Sequence, residues 1–246
     1  MSGPKFPELY KDFVKTIETI ARRHDRGKVF NDFLTAAICA YHRTNIQTQL
    51  QVKDEKNEAL YMEAISRYNK DEINLFPKLQ GLFMSAVYDR PYSDLLGQYF
   101  TEHVTQGQNG QFFTPDSVCD VMAQLQVPPG TMKWQRVADP SSGSGRLLLS
   151  FAKYNPDNYF YASDNANTCA KMSTLNFFIN GLRGEVAWMN TLSMEWYGGW
   201  AINTNGLGIV PIEKEQSQIW SAPPKPKPPE FKDFPKSGQS EQLTLF

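Results

Sequence analysis

Asp139 and Asp164, with the glycine-rich loop Gly143-Ser144-Gly145 between them, are the residues of this sequence best suited to bind a small molecule. The loop follows a short apolar segment that ends at Asp139, and it precedes a segment that is apolar at helical spacing. Asp164 ends the next strand-like segment, at roughly the separation at which an acidic residue meets the ribose hydroxyls of a nucleoside. The spacing therefore indicates a nucleoside site.

Two phosphate-binding interpretations of the loop fail on particular residues. A Walker loop ends in Gly-Lys-Ser/Thr, but Arg146-Leu147 follows Gly145 here. A dinucleotide fingerprint needs a third glycine, and Leu148 occupies that position. A purely structural turn remains the alternative to a ligand-binding loop.

The two carboxylates narrow the class of ligand. Negative charge at both strand ends favours a nucleoside that carries a positive or neutral group over one that carries a pyrophosphate. A sulfonium amino acid joined to adenosine is such a ligand.

Strand-like and helix-like segments alternate around this loop. In chain order they are RVAD, GRLLLSFAKY, NYFYASD, NTCAKMSTLNFFING and GEVAWMN. This alternation predicts crossover connections onto a parallel sheet. The expected fold class is α/β, with a parallel sheet.

The residues before the loop are predicted to be helical. FPELYKDFVKTIETIARRHDRGK and FNDFLTAAICAYHR are apolar at helical spacing, with Gly27 as a stop and with Asn31 and Ser93 as candidate caps. TPDSVCDVMAQL predicts a further helix. Its predicted apolar face consists of Val118, Val121, Met122 and Leu125.

The composition is that of a soluble globular protein, with a formal net charge of -1 and no apolar run of membrane-spanning length. At this net charge, DNA would have to be met by a local basic patch. Cys39, Cys119 and Cys169 are too few and too scattered for a disulfide framework or a zinc site. We expect a cytoplasmic protein with free thiols, no membrane contact and no metal.

Four segments in order resemble one family of enzymes. They are GQFFTPDSVCDVMAQL, VADPSSGSGRLLLSFAK, YASDNANTCAKMSTLNFFINGL and MNTLS. Together they are similar to the modification subunits of type I restriction systems and, more broadly, to the DNA methyltransferases that act on the amino group of adenine. The resemblance implies a Rossmann-like, S-adenosylmethionine-dependent methyltransferase fold preceded by an α-helical N-terminal subdomain.

The pattern of segments, together with this resemblance, predicts a domain organisation. The helical subdomain is expected over residues 1–108 and the S-adenosylmethionine-binding, methyltransferase-like domain over residues 109–212. Residues 213–246 contain APPKPKPPEF, so we expect a proline-rich, extended and disordered tail there.

Carried over position by position, the resemblance implies a cofactor site in three parts. These are Phe113, Thr114 and Pro115 for the methionine end; Asp139, Pro140, Ser141, Gly143, Ser144 and Gly145 for the loop beneath the amino acid and ribose; and Asp164, Asn165 and Asn190 for the ribose hydroxyls and the adenine.

Several of these positions have plain structural alternatives. Phe113 could be a core aromatic residue, and Thr114 could cap a helix with Pro115 in its first turn. Asp164 could be a turn-forming residue after the strand, with no contact to a ligand. Asn190 stands where the family usually has Asp, so it keeps an acceptor and loses a charge.

The family's catalytic tetrapeptide is missing. It consists of Asn, Asp or Ser, then Pro-Pro and an aromatic residue. The side-chain oxygen of the first residue and a prolyl carbonyl accept hydrogen bonds from the adenine amino group, and the aromatic ring stacks on the flipped base. The nearest segment, Ala222-Pro223-Pro224-Lys225, has neither the acceptor side chain nor the aromatic ring. A proline-rich linker is the favoured interpretation of this segment. The catalytic residues are therefore unknown.

The last five residues are similar to the pentapeptide by which bacterial replication and repair proteins dock on the sliding clamp. In such a peptide, apolar anchors enter a groove while a glutamine fixes the register. An apolar tail that packs on its own domain is the alternative. The residues are Gln242, Leu243, Thr244, Leu245 and Phe246.

Three functions stay open at this point. The first is a DNA adenine methyltransferase that works alone or with partner chains, one of which could supply DNA recognition. The second is a cofactor-binding relative that has lost methyl transfer and serves as a binding module on replicating DNA. The third is a different S-adenosylmethionine-dependent transferase.

Overall fold

The computed structural model describes residues 3–44, 54–105, 113–126, 128–204 and 206–219. The described elements are helices and a five-stranded sheet. In chain order they are α1 (Phe6–Ile20), α2 (Arg26–Ala40), α3 (Glu55–Ile65), α4 (Lys70–Ile73), α5 (Leu75–Asp89), α6 (Leu95–Tyr99), a π-helix (Phe100–Thr105), α7 (Asp116–Gln126), β1 (Arg136–Asp139), α8 (Arg146–Tyr154), β2 (Tyr159–Asp164), α9 (Asn167–Ile179), β3 (Arg183–Asn190), β4 (Glu195–Ile202), β5 (Ile209–Pro211) and a 3-10 helix (Lys214–Gln216).

The sheet has the strand order β1-β2-β3-β4-β5. β1, β2 and β3 are parallel, and α8 and α9 connect them, as the alternation of segments predicted. Phe160 and Val186 on the strands share one buried cluster with Leu149 of α8 and Phe177 of α9. The α/β, Rossmann-like fold class is confirmed.

β4 and β5 were not predicted, and they run antiparallel to their neighbours, so the sheet is mixed. The segment EWYGGWAI does not look like a strand because it contains Gly198-Gly199, and glycine is depleted in strands. Gly199 is needed at this place, since a Cβ on it would lie 2.6 Å from the ring of Trp196. Antiparallel pairing with β3 stabilises a strand that its own residues favour only weakly.

Helix boundaries in the N-terminal region differ from the prediction. Gly27 does not stop α1 but lies in the first turn of α2, whose N-cap is Asp25 rather than Asn31. Asp94, not Ser93, caps α6. In both helices an aspartate oxygen accepts a hydrogen bond from a first-turn amide, which would otherwise lack a partner within the helix.

The helical region shares its core with the α/β region. One cluster of buried side chains joins Phe30 and Leu34 of α2, Met172 and Leu175 of α9, and Ile209 of β5. Burial of this apolar surface stabilises both regions at once. The predicted domain boundary near residue 108 stays a prediction.

The apolar face predicted for α7 is wrong. This helix packs against α8 through Cys119 and Ala123, which are each 1% exposed. Small side chains allow the two helix axes to approach closely, so the larger residues point away from the contact. The exposed residues are Val118, Val121, Met122 and Leu125.

Ser217 and Gln218 are hydrogen-bonded to the sheet, although an extended tail was predicted from residue 213. The carboxylate of Glu185 on β3 accepts bonds from the Ser217 hydroxyl at 2.9 Å and the Gln218 amide at 2.8 Å. Arg136 on β1 donates to the Gln218 carbonyl at 2.7 Å. Ala222-Pro223-Pro224-Lys225 and the terminal pentapeptide lie outside the described residues.

Cys39, Cys119 and Cys169 are buried and form no disulfide, in agreement with the prediction of free thiols. Burial raises the pKa of Cys39 and of Cys119 to about 11, so both thiols stay protonated near neutral pH. None of the described helices is long and apolar enough to cross a membrane.

Candidate active site

Asp139, Asp164 and Asn190 end three adjacent parallel strands. In the strand register, Asp139 lies beside Ala162 and Asp164 lies beside Trp188, so the three polar residues lie at the same edge of the sheet. Ligands of open α/β sheets bind in the crevice outside the carboxyl ends of the strands. The structure therefore brings together the polar residues that the sequence placed at strand ends.

Gly143 and Gly145 turn the chain between β1 and α8. Their φ angles are +56° and +83°, in the left-handed region that side chains with a Cβ disfavour. A Cβ on Gly143 would also lie 2.6 Å from the ring of Phe113. Backbone and packing therefore both require glycine at position 143.

Asp164 fastens this loop to the end of β2. Its Oδ2 accepts the Gly143 amide at 2.9 Å, and its Oδ1 accepts the Ala166 amide at 2.8 Å. An ionised carboxylate has about four acceptor positions, so others remain for ligand hydroxyls. The turn-forming role and a ribose contact are therefore compatible in this residue.

Both carboxylates of the crevice are partly buried, and this shifts their pKa values. Burial raises the pKa of Asp139, while a hydrogen bond from the Ser141 amide at 3.0 Å lowers it. Burial also raises the pKa of Asp164; its two amide bonds lower that pKa, and the charge of Asp139 raises it. Within the described part of the chain, neither carboxylate forms a salt bridge. A cationic ligand would relieve this uncompensated negative charge.

Phe113, Thr114 and Pro115 lie alongside the loop. The Phe113 ring stacks on Phe100 with the ring centroids 5.8 Å apart, and it is partly buried against the helical core. The Thr114 carbonyl accepts a bond from the Arg146 guanidinium at 3.1 Å, and the side chains of Thr114 and Pro115 are exposed. Phe113 is thus a core aromatic residue that also shapes the crevice.

Pro140, Ser141 and Asn165 are exposed at the rim of the crevice. The Pro140 carbonyl accepts the Thr191 hydroxyl at 3.1 Å, and the Asn165 carbonyl accepts the Trp188 indole N–H at 3.1 Å. These bonds connect the ends of the three parallel strands.

Asn190 organises the turn that follows β3. Its Oδ1 accepts the amides of Leu192 at 3.0 Å and Ser193 at 3.2 Å. The oxygen that was expected to accept from adenine is therefore already engaged in the turn. Its contact with adenine stays a prediction.

The side chain of Ser144 points away from the crevice. It is fully buried, and its hydroxyl donates a short hydrogen bond to Asp94. Asp94 also accepts bonds from Arg146 and Asn176, and sequence reasoning missed all three of these residues. The partners lie 50 or more residues from Asp94, so no local spacing could have indicated the contact.

The described residues contain no group of three or more His, Cys, Asp or Glu side chains that could hold a metal ion. The donor set of the crevice is two carboxylates and the backbone of a glycine loop. These groups fit a cationic nucleoside that offers ribose hydroxyls, which is the chemistry of S-adenosylmethionine.

The fold and the crevice define an α/β protein whose glycine loop and strand-end carboxylates suit a nucleoside ligand. A family model described as N-6 DNA Methylase matches residues 87–239, which is more than half of the chain. The chain belongs to the N-6 DNA methylase family. The match contains the loop and every residue of the predicted cofactor site, and it confirms the resemblance that those residues carry.

Solved structures include two similar proteins at low sequence identity. One is described as a class I S-adenosylmethionine-dependent methyltransferase from Listeria monocytogenes (15% identity, TM-score 0.41), and 74% of this chain aligns with 52% of that one. The other is the type I restriction-modification system methyltransferase subunit from Streptococcus thermophilus (12% identity, TM-score 0.42), and 79% of this chain aligns with 60% of that one. This chain thus spans little more than half the length of either protein. No curated protein sequence matches it significantly.

Proposed function

We propose that this protein binds S-adenosylmethionine and methylates the exocyclic amino group of adenine in DNA. The observation that carries the proposal is the pair of partly buried carboxylates, without a salt bridge among the described residues, beside a left-handed glycine loop in a chain of the N-6 DNA methylase family. When bound, the cofactor supplies a methyl group that its sulfonium sulfur makes electrophilic. The residues of this chain bind and orient that group.

Asp164 is proposed to accept hydrogen bonds from the ribose hydroxyls. Its carboxylate is already held by the Gly143 and Ala166 amides, so no reorientation of the side chain is needed on binding. Asn165, exposed at the rim directly after it, would lie near the adenine ring.

Asp139 and the loop residues Gly143 and Gly145 are proposed to lie beneath the amino acid and the ribose. The charge of Asp139 favours the cofactor over the product of methyl transfer, because the cofactor carries a positive sulfonium where the product has a neutral thioether; both keep the ammonium group. Phe113, Thr114 and Pro115 would contact the methionine end. Ser144 would contribute through its backbone, because its side chain is buried behind the loop.

DNA is the proposed substrate, and a partner chain could supply sequence recognition. The formal net charge of -1 gives the whole protein no attraction for a polyanion, so a local basic patch of this chain or a partner would have to meet the DNA. The terminal pentapeptide Gln242–Phe246 is proposed to dock on a sliding clamp, which would bring the protein to DNA.

A second function has its own support, namely the sequence Ala222-Pro223-Pro224-Lys225 in place of the catalytic tetrapeptide. In that case the protein binds the cofactor without transferring its methyl group. It would then act as a binding module on DNA.

One assay distinguishes the two functions. The purified chain is incubated with methyl-labelled S-adenosylmethionine and unmethylated bacterial DNA, and the DNA is digested to nucleosides. Label in N6-methyladenine supports methyl transfer, whereas cofactor binding by calorimetry without labelled nucleoside supports the binding module. Absence of cofactor binding would overturn both.

A further inference from the structure

Asp94 lies directly behind the glycine loop, outside the crevice itself. Its side chain is 1% exposed. It accepts hydrogen bonds from the Gly97 amide at 2.8 Å, from Arg146 Nε at 2.8 Å, from Asn176 Nδ2 at 2.9 Å and from the Ser144 hydroxyl. A single buried carboxylate therefore joins α6, the glycine loop, α8 and α9.

Two of these donors flank Gly145, the second left-handed residue of the loop. Ser144 precedes it and Arg146 follows it, so Asp94 holds the chain on both sides of the turn. Asn176 adds a second connection, since its Nδ2 also donates to the Ser144 carbonyl at 2.9 Å. The side chains around Gly145 thus leave the loop little freedom to rotate.

Arg146 connects the hydrogen bonds around Asp94 to the segment that contains Phe113 and Thr114. Besides Asp94, its guanidinium contacts the Thr114 carbonyl at 3.1 Å and the Asp116 carboxylate at 3.0 Å. The guanidinium carbon lies 5.7 Å from the centroid of the Phe113 ring. Asp94 therefore fixes the arginine that holds Phe113 and Thr114 against the loop.

We propose that Asp94 is a positioning residue that sets the conformation of the glycine loop for cofactor binding. It acts through Ser144 and Arg146, and it does not touch the ligand. Its charge is required because a buried carboxylate is matched to Arg146 and has enough acceptor positions for four donors. The effect on cofactor binding rests on the proposed function.

Asp94→Asn tests the charge while keeping an oxygen that can cap α6, because asparagine is as good an N-cap as aspartate. Asp32→Asn is the matched control. Asp32 is 3% exposed on the side chain and holds Lys28 at 2.7 Å, Tyr68 at 2.9 Å and Arg67 at 3.2 Å, all in the helical region. Both variants are expected to lower the melting temperature.

Only Asp94→Asn is expected to change the loop. Hydrogen exchange of the Gly143 and Gly145 amides should accelerate in that variant and stay at the wild-type rate in Asp32→Asn. The dissociation constant for S-adenosylmethionine should rise about 10- to 100-fold, the scale for losing a charge-assisted hydrogen bond. Equal exchange and equal affinity in the two variants would overturn the proposal.

Ser144→Ala provides a second variant that leaves the Asp94–Arg146 pair intact. If Asp94 acts through Ser144, the double variant should bind the cofactor no more than marginally worse than Asp94→Asn alone, whereas independent effects would add. If the wild-type chain binds no S-adenosylmethionine, the proposed function fails. Even then, the exchange rates of the Gly143 and Gly145 amides decide whether Asp94 sets the conformation of the glycine loop.

Discussion

At the scale of single residues, two candidate side chains each close a turn of the backbone. Asp164 closes the turn at Gly143 and Ala166, and Asn190 closes the turn at Leu192 and Ser193. These structural bonds orient the side chains before any ligand arrives, which reduces the entropy lost on binding. A substitution at such a residue should therefore affect ligand affinity and local order together.

Asp164→Ala should weaken S-adenosylmethionine binding by about 1.5–3 kcal/mol, the scale for a lost hydrogen bond to a charged group. Isothermal titration calorimetry measures the change. Asp157→Ala is the control, because Asp157 lies in the loop before β2, is 50% exposed and pairs with Lys133. An unaltered dissociation constant in Asp164→Ala would remove this residue from the site.

The raised pKa values of Asp139 and Asp164 predict a pH dependence of binding. Because burial raises both, the carboxylates begin to take up protons at a higher pH than exposed aspartates do. Protonation removes the negative charge that attracts the cation, so affinity for S-adenosylmethionine should fall as the pH is lowered below neutrality.

The control for this pH series is 5′-methylthioadenosine, whose sulfur is neutral. Its affinity should change less over the same pH range, as measured by calorimetry. Identical pH profiles for the two ligands would show that the carboxylate charge does not select the cation.

At the scale of elements, the turn between β1 and α8 depends on its glycines. Gly143 has a φ of +56°, and the Phe113 ring occupies the space that a Cβ would need. Phe113, which precedes α7, and the loop thus approach each other at a distance that only glycine permits. The turn between β1 and α8 is therefore restrained by the packing of Phe113 on Gly143 as well as by its hydrogen bonds.

Gly143→Ala should lower the free energy of unfolding by at least about 1 kcal/mol, because the left-handed backbone is strained for alanine. Urea unfolding provides the measurement. Gly81→Ala is the matched control, since Gly81 lies inside α5 and a Cβ added there would meet no atom within 4 Å, so alanine should stabilise by about 0.5–1 kcal/mol. Equal effects at the two positions would contradict the strain argument.

At the scale of the whole molecule, the helical region and the sheet unfold together if their shared core governs stability. Leu175 of α9 is fully buried in the cluster that contains Phe30 of α2. All five tryptophans follow residue 133, whereas α1 to α6 precede residue 100. Tryptophan fluorescence therefore reports on the part of the chain that follows α7, and far-ultraviolet circular dichroism reports strongly on the N-terminal helices.

Leu175→Ala should shift both unfolding transitions equally, by about 2–5 kcal/mol. Leu125→Ala is the control, because Leu125 is 81% exposed and its removal should leave stability within about 0.5 kcal/mol. Separate transitions for the two probes would mean that the regions fold independently.

The sequence alone determined the parallel part of the sheet and the loop that lies at its edge. Each of the strands β1 to β3 contains a short apolar run, and glycines at 143 and 145 mark a sharp turn, so the local pattern was sufficient. The positions of Asp139 and Asp164 followed from the same pattern, because the carboxyl ends of parallel strands meet at one edge.

The tertiary structure decided what depends on distant partners. β4 exists because it pairs with β3, and the small residues of α7 are buried because α8 lies against them. The inward turn of Ser144 follows from Asp94, which lies 50 residues earlier in the chain. Contacts between residues so far apart in the chain produce no regular spacing of residue types in the sequence, because only tertiary packing brings the side chains together.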